Sequence, residues 1–282
     1  MKLTWWCSAT ATAWDGRWKP YPGVWLFVFL LAALYWRSVT RRVSGSSAPS
    51  AAGPGRIASY VAGVVAVWLA TDWPVGALGA GYLLTAHTAS FILLSLVAPP
   101  LLLFGWPAPR GERKTTNGVA WNAARILTQP LIALALFNVI LVVTHLPPVV
   151  DGLMPLQLGA FAIDLGWLLG GLALWTPVVR PLVVRNALSY PQQMGYLFLA
   201  TLVPTVPAAF MTFAAYPLYG LYELAPRVGD IAAIQDQQVA GLSMKIIGDL
   251  PFWLAFGIVF FKWAREEDRS TPTRALEGSL PT

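Results

Sequence analysis

The sequence predicts an all-α polytopic membrane protein, a bundle of seven transmembrane helices. Hydrophobic residues make up 56% of the 282 residues and charged residues only 11%, against roughly 25% charged residues in soluble domains. A hydrocarbon core about 30 Å thick requires about 20 mostly apolar residues per helix. Several runs of this kind follow one another along the chain. Composition and run length together exclude an ordinary soluble protein.

Seven apolar runs, separated by proline, glycine and charged residues, define the predicted spans. They are residues 22–36, 57–71, 79–104, 126–146, 156–179, 194–215 and 239–263. We expect three regions in total, because polar and charged segments flank these runs. They are an extracytoplasmic leader at 1–21, a membrane domain at 22–265 and a disordered cytoplasmic tail at 266–282.

The distribution of basic residues predicts the orientation. Of the 19 lysines and arginines, Lys2, Arg17, Lys19 and Arg227 fall on one side, Lys245 lies inside a span, and the other 14 fall on the opposite side. The positive-inside rule then places the N-terminus outside and the C-terminus in the cytoplasm. The same rule accounts for the net charge of +6. We expect no nucleic-acid partner, because no basic stretch carries interleaved aromatic residues.

In this orientation, ionisable and metal-binding side chains from four spans fall in the outer half of the bundle. They are His87, His145, Asp164 and Met244, with the polar pair Asp236 and Gln237 at the start of the seventh span. His87 would lie about 12 Å deep at 1.5 Å per residue. A carboxylate within a span costs roughly 2.5–3.5 kcal/mol, so Asp164 requires a partner or a function.

These residue types suit a metal site, although each also has a structural explanation. Imidazole, carboxylate and thioether ligands together suit copper, and imidazole with carboxylate also suits zinc or iron. The spacing alone identifies no site, because it contains no tight motif such as HExxH. His87 could instead bond a neighbouring helix, and His145 could cap carbonyls at a helix end. Asp236 could simply favour a helix start.

Four stretches resemble the CtaG-type membrane proteins associated with assembly of caa3-type cytochrome c oxidase. They are "AHTASFILLSLVAPPLLLFGWP" (86–107), "THLPPVVDGL" (144–153), "LALWTPVV" (172–179) and "IQDQQVAGLSMKIIG" (234–248). The resemblance covers residues from about 57 to 265. It implies a non-enzymatic, seven-helix protein of the bacterial inner membrane that assists oxidase assembly by delivering copper as Cu⁺ at the outer face. The implied partners are oxidase subunits and a soluble copper carrier, within the lipid bilayer.

The resemblance also implies which residues would hold copper, and at some of these positions this chain departs from the family pattern. His87 matches the first histidine of an H-x3-H pair, but the second position is Phe91. His145 matches the histidine of an H-L-P element. In the fifth span the family usually has histidines near an acidic residue, where this chain has Gln157 and Asp164.

The seventh span keeps more of the family pattern. Asp236 and Gln237 match its "DQ" pair, and Met244 matches the methionine below them. Because several histidines are missing, the resemblance implies weakened or absent copper binding. A metal-free scaffold for oxidase assembly is therefore an open alternative.

Two further alternatives come from other classes. Seven spans with Lys245 in the last one fit the outline of a retinal protein, but the third span lacks the carboxylate counter-ion. Lys245 and Asp249 lie four residues apart, so we expect them to pair with each other. A transporter or intramembrane enzyme could use Asp164 and the histidines as a proton relay. No internal repeat supports a transporter.

Overall fold

A computed structural model describes residues 4–40, 53–107, 118–179 and 187–277. Within these ranges every regular element is helical, which confirms the predicted all-α class. The helices long and apolar enough to cross a membrane are Pro22–Thr40, Pro54–Gly81, Leu84–Gly105, Gln157–Val179, Tyr190–Phe213 and Ala233–Arg269. A pair bent by 80°, Trp121–Leu127 and Pro130–Thr144, adds a seventh if it forms one span. The predicted polytopic bundle is confirmed.

The orientation of the bundle stays a prediction. Much of the basic-residue count falls at 41–52, 108–117 and 180–186, outside the described residues. The same is true of residues 1–3 of the leader and 278–282 of the tail.

In the first half of the bundle the described residues form five α-helices. They are α1 (Pro22–Thr40), α2 (Pro54–Thr71), α3 (Val75–Gly81), α4 (Leu84–Ile92) and α5 (Ala98–Gly105). The third span was predicted to begin at residue 79 but begins at Leu84, because Leu83 is extended and Gly79 belongs to α3. A π-helical turn, Leu93–Val97, joins α4 to α5. It precedes two prolines that have no N–H to donate.

Within the ranges that the structure covers, the second half contains eight more helices. They are α6 (Val119–Leu127), α7 (Pro130–Thr144), α8 (Pro147–Leu153), α9 (Gln157–Val179), α10 (Tyr190–Ala200), α11 (Thr205–Phe213), α12 (Gly220–Glu223) and α13 (Ala233–Glu277). The sixth span is broken between α10 and α11, just before Thr205 and next to two prolines. Helix α13 continues through residues 266–277, where the composition had predicted a disordered tail. This stretch opens with a run of helix-compatible charged residues.

Helix α9 packs against both α5 and α7. At Gly171 a Cβ atom would overlap the Ser95 carbonyl and the Pro99 ring, so this close approach requires glycine. Helix α13 packs against α4, α10 and α11. Helix α1 is peripheral and contacts α2, where Tyr35 stacks on Tyr60 with ring centroids 4.0 Å apart.

The leader has no helix between residues 4 and 21, yet it docks on the bundle. The Trp5 N–H donates to Gln157 Oε1 (2.7 Å) at the start of α9, and the Ala9 N–H donates to the Met154 carbonyl (3.0 Å). Trp6 is only 1% exposed. The leader therefore lies at the same end of the bundle as the start of α9.

Candidate functional site

Two histidines from separate spans meet inside this end of the bundle. His87 lies in the first turn of α4, and His145 follows α7 directly, where "LPP" prevents the helix from continuing. Their ring centroids are 6.3 Å apart. The side chains are buried, with residue exposures of 2% and 5%. The structure thus brings together two of the predicted metal ligands.

Neither Nε2 atom of this pair has a hydrogen-bond partner, although both are buried. His145 Nδ1 lies 2.8 Å from the Leu141 carbonyl oxygen. A carbonyl only accepts, so Nδ1 carries the proton of the neutral ring and Nε2 carries a lone pair. Leaving a buried polar atom unpaired costs about 1–3 kcal/mol, so two such atoms on neighbouring rings require an explanation.

The separation of the ring centroids equals the value that two imidazoles would have if their nitrogens faced each other across one metal ion. A metal lies about 2.0 Å from an imidazole nitrogen, which lies about 1.1 Å from its ring centre, so opposed nitrogens give a centroid separation of about 6.2 Å. The observed separation is 6.3 Å. Imidazole is a ligand type that suits a soft or borderline metal ion.

Aromatic rings enclose the pair. The Trp167 ring centroid lies 5.0 Å from that of His87 and 5.9 Å from that of His145. Phe91 packs 4.9 Å from His145, at the position where the family resemblance implied a further histidine. Tyr222 packs 5.8 Å from His87. The surroundings of the two free nitrogens are therefore largely apolar.

The local backbone positions His87 through a close contact between α3 and α4. A Cβ atom at Gly79 would lie 2.8 Å from the backbone nitrogen of His87, so only glycine permits this approach. Trp167 is held in turn by its Nε1–H, which donates to Thr144 Oγ1 at 2.8 Å. The sequence contained no pattern that singled out Gly79 or Trp167, because each acts through a distant segment.

A short segment covers the pair, and we call residues 218–223 the cover. The Tyr222 hydroxyl donates to the Gly79 carbonyl (2.6 Å), and the Tyr219 hydroxyl donates to the His145 carbonyl (2.8 Å). Asp151 accepts hydrogen bonds from the N–H groups of Gly220 (3.1 Å) and Leu221 (3.0 Å). The cover is thus attached to the backbone beside each histidine. Neither the tyrosines nor Asp151 were predicted as site residues.

Asp236 and Gln237 serve the fold around the pair. The Asp236 carboxylate accepts the N–H groups of Leu84 and Thr85, so it caps α4 from α13. Gln237 Oε1 accepts the Leu218 N–H (2.6 Å) and thereby anchors the cover. From the sequence, Asp236 could have stabilised the start of its own helix, α13. In the structure it stabilises the start of α4, about 150 residues away, because α13 and α4 pack together.

Asp164 finds its partner in the leader and not in the histidine pair. Trp6 Nε1 donates to Asp164 Oδ2 at 2.8 Å. Asp164 and Trp6 line a narrow crevice whose other residues are Phe27, Thr71, Leu94, Phe161, Leu165 and Leu168. Neither histidine lines this crevice. The expectation that Asp164 needs a partner is met, but by a residue 158 positions away.

Of the four predicted metal ligands, His87 and His145 lie together, whereas Asp164 is engaged by Trp6. Within the parts of the chain that the structure describes, no three His, Cys, Asp or Glu side chains come together as a metal site. Met244 is buried, with 1% exposure, on α13. The candidate site is thus the His87–His145 pair beneath its cover.

The predicted pair of Lys245 and Asp249 is confirmed. Lys245 Nζ lies 2.7 Å from Asp249 Oδ2. It also donates to Thr205 Oγ1 (2.7 Å) and to the Thr201 carbonyl (3.4 Å), beside the break between α10 and α11. The pair therefore joins the seventh span to the break in the sixth.

Fold and site together define a polytopic helical membrane protein with a covered pair of buried imidazoles. The chain belongs to the cytochrome c oxidase caa3 assembly factor family (Caa3_CtaG), whose family model matches residues 19–266. No curated protein and no solved structure matches the chain. The resemblance found in the sequence is confirmed, and family membership favours the assembly interpretation over the photoreceptor, transporter and enzyme alternatives.

Proposed function

We propose that this chain assists assembly of a caa3-type oxidase by holding one copper ion between His87 and His145 and passing it to an oxidase subunit. The observation that carries the proposal is the pair of buried Nε2 atoms without partners, 6.3 Å apart between ring centroids. Copper is the cargo of this process and not a resident cofactor. The role is non-catalytic, since the chain binds and releases an ion without changing a covalent bond.

The outer face of the bacterial inner membrane is the proposed side of transfer. The basic-residue distribution supports an external N-terminus. The leader contacts the start of α9, at the end of the bundle that holds the histidine pair. An oxidase subunit or a soluble copper carrier would therefore meet the cover from outside.

The direct test is the copper content of purified protein loaded with Cu⁺ under reducing conditions. We expect about one copper per chain in the native protein and a loss of binding in His87→Ala and in His145→Ala, because neither imidazole alone encloses the ion. Asp164→Asn is the matched control, since this polar residue pairs with Trp6 and lies outside the pair. Native protein that binds no more copper than the double histidine variant would overturn the proposal.

A metal-free scaffold is the second candidate, supported by the absence of a third His, Cys, Asp or Glu side chain at the pair among the described residues. The two candidate functions predict different results in cells that lack the native gene. Restoration of oxidase maturation by the double histidine variant would favour the scaffold, and failure by a stably expressed variant would favour copper delivery.

A further inference from the structure

We propose that a polar patch on the sixth and seventh spans binds a transmembrane helix of an oxidase subunit within the membrane. The polar patch consists of Thr201, Thr205, Lys245 and Asp249. The inference rests on the oxidase-assembly part of the proposed function and not on metal binding by the histidines. It adds a binding surface and the kind of partner that this surface fits.

The polar patch lies at the depth of the hydrocarbon core. Lys245 follows the start of α13 by 12 residues, and Thr205 precedes the end of α11 by eight residues. At 1.5 Å per residue these distances are about 18 and 12 Å. Both are measured from the same end of the bundle, because residues 214–232 join the two helices. Since the core is about 30 Å thick, the patch lies near its middle.

Lys245 is exposed at this depth. Its side chain is 40% exposed, whereas a charged residue within a span normally faces the bundle interior or a water-filled cavity. Its neighbours Leu242 and Ile246 are exposed apolar residues. The ammonium does not extend to the interface, because it is held by Asp249, one turn further from that end, and by Thr205 Oγ1 at 2.7 Å. A charge is therefore left at the outer surface of the bundle.

The irregular backbone beside Lys245 is a second, independent feature of the same surface. Residues 201–204 form a turn between α10 and α11, and Leu202 and Val206 beside it are exposed. The Thr201 carbonyl accepts hydrogen bonds from Lys245 Nζ (3.4 Å) and Thr205 Oγ1 (2.9 Å). Irregular backbone at membrane depth is tolerated where protein or a water-filled cavity covers it. Both features thus indicate that another protein covers this surface.

The charges of the patch indicate the chemistry of the partner. Lys245 and Asp249 neutralise each other at 2.7 Å, so a charged partner side chain would bring a third charge without a counter-charge. A hydroxyl or amide side chain adds hydrogen bonds and no charge, and such side chains hold membrane helices together. Lipid tails provide neither donors nor acceptors. The patch therefore fits an apolar helix that carries a Ser, Thr, Asn or Gln side chain.

An oxidase subunit fits this description better than a second copy of the chain. The family assembles cytochrome c oxidase, and the resemblance implies oxidase subunits in the same bilayer as partners. A second copy in the same orientation, docked through the same face, would bring its own Lys245 to the same depth. Two ammonium groups would then oppose each other in a medium of low dielectric constant.

The test is photo-crosslinking in cells that make an epitope-tagged caa3-type oxidase. Benzoylphenylalanine replaces Leu242 or Val206, one on each side of the patch, in an otherwise native chain. Leu30 on α1 is the matched control, because the three residues are 47%, 54% and 52% exposed and α1 packs on α2. We expect adducts with a tagged oxidase subunit at both patch positions, at least about tenfold above the Leu30 control.

A pair of double variants tests the contribution of the charges. Lys245→Met/Asp249→Leu removes both charges of the patch and should reduce co-purification of the tagged oxidase by at least about fivefold. Lys262→Met/Glu266→Leu removes one positive and one negative charge at the same spacing, from exposed positions further along α13, and should leave co-purification unchanged. The crosslinking result stands even if the first double variant does not fold.

The outcomes separate this inference from copper binding. Adducts at Leu242 and Val206 that contain only lipid or a second copy of the chain would overturn the docking site. A folded Lys245→Met/Asp249→Leu variant that retains the oxidase at the native level would overturn the role of the polar pair. Native protein that binds no copper but crosslinks to the oxidase would overturn the proposed copper transfer and support the docking site.

Discussion

Single residues at the end of the bundle that holds the histidines differ in whether their polar atoms are satisfied. Asp236, Gln237 and Asp164 each accept hydrogen bonds from protein donors. The Nε2 atoms of His87 and His145 do not. Since a buried polar atom is normally paired, this contrast marks the two imidazoles as groups with an unused binding capacity, although Thr88 Oγ1 and Trp73 Nε1 are among other buried atoms that also lack a partner.

Trp6 is the residue whose contribution is easiest to isolate. Trp6→Phe keeps an aromatic ring but removes the N–H that Asp164 accepts, so a carboxylate within the fifth span loses its hydrogen bond. We expect a loss of roughly 1–3 kcal/mol in the free energy of unfolding, measured by denaturation in detergent. Trp18→Phe is the control, because Trp18 is 52% exposed. Equal stability of the two variants would contradict the assigned role.

The reactivity of Cys7 tests whether the leader is docked on the bundle. Burial raises the pKa of the Cys7 thiol, with a further rise from the nearby Asp164 carboxylate, so the thiol is protonated and unreactive near neutral pH. We expect slow maleimide labelling of the native protein and labelling at least about tenfold faster in Trp6→Ala, where the leader is loosened. Labelling that is already fast in the native protein would show that the leader is not docked.

At the scale of elements, we expect the cover to control access to the pair. Both histidines are almost fully buried, and the cover is attached to the backbone beside them, so under the proposed function we expect an ion to enter when the cover moves. Its four-residue helix, α12, is too short to be stable alone, so its anchors on Asp151, Gln237, Gly79 and His145 hold it in place. A short element with a few external anchors can open without disturbing the spans.

Removing one anchor should therefore speed metal exchange. Asp151→Ala deletes the acceptor for two N–H groups of the cover. We expect faster amide hydrogen exchange at residues 220–223 and copper release accelerated by at least about fivefold, since each lost hydrogen bond is worth about 1 kcal/mol. Asp230→Ala, at an exposed position, is the matched control. Unchanged exchange in the Asp151 variant would mean that this anchor does not hold the cover.

The break in the sixth span is stabilised by Lys245 of the seventh span. Lys245→Met would leave Asp249 unpaired within a span and would remove the donor to Thr205 and Thr201. We expect the single variant to lose more stability than the double variant Lys245→Met/Asp249→Leu, because the double change also removes the uncompensated carboxylate. Thermal unfolding in detergent measures both. A double variant that is less stable than the single one would contradict this account.

At the scale of the whole molecule, the orientation decides which compartment the cover faces. In a Cys7→Ser background, Trp18→Cys should be labelled by a membrane-impermeant maleimide in intact cells. Arg269→Cys should be labelled only after permeabilisation, because the positive-inside rule places it in the cytoplasm. Both positions are exposed, so accessibility to the reagent is matched. The reverse pattern would place the histidine pair at the cytoplasmic end.

The spans were predictable because the length and polarity of an apolar run are local properties of the chain. The boundaries of the spans were less predictable, because the start at Leu84 depends on the extended Leu83 and on the carboxylate of Asp236 from another helix. The continuation of α13 to Glu277 was also missed.

Of the site, the amino-acid sequence by itself determined which side chains were chemically unusual for a membrane span. His87, His145 and Asp164 stood out because polar groups in hydrocarbon are costly. Only the tertiary structure decided their partners, since Asp164 meets Trp6 and Asp236 meets Leu84 across more than 150 residues of chain. Hydrogen-bond satisfaction is a property of packed helices, so the two unpaired imidazole nitrogens became visible only once the helices were placed.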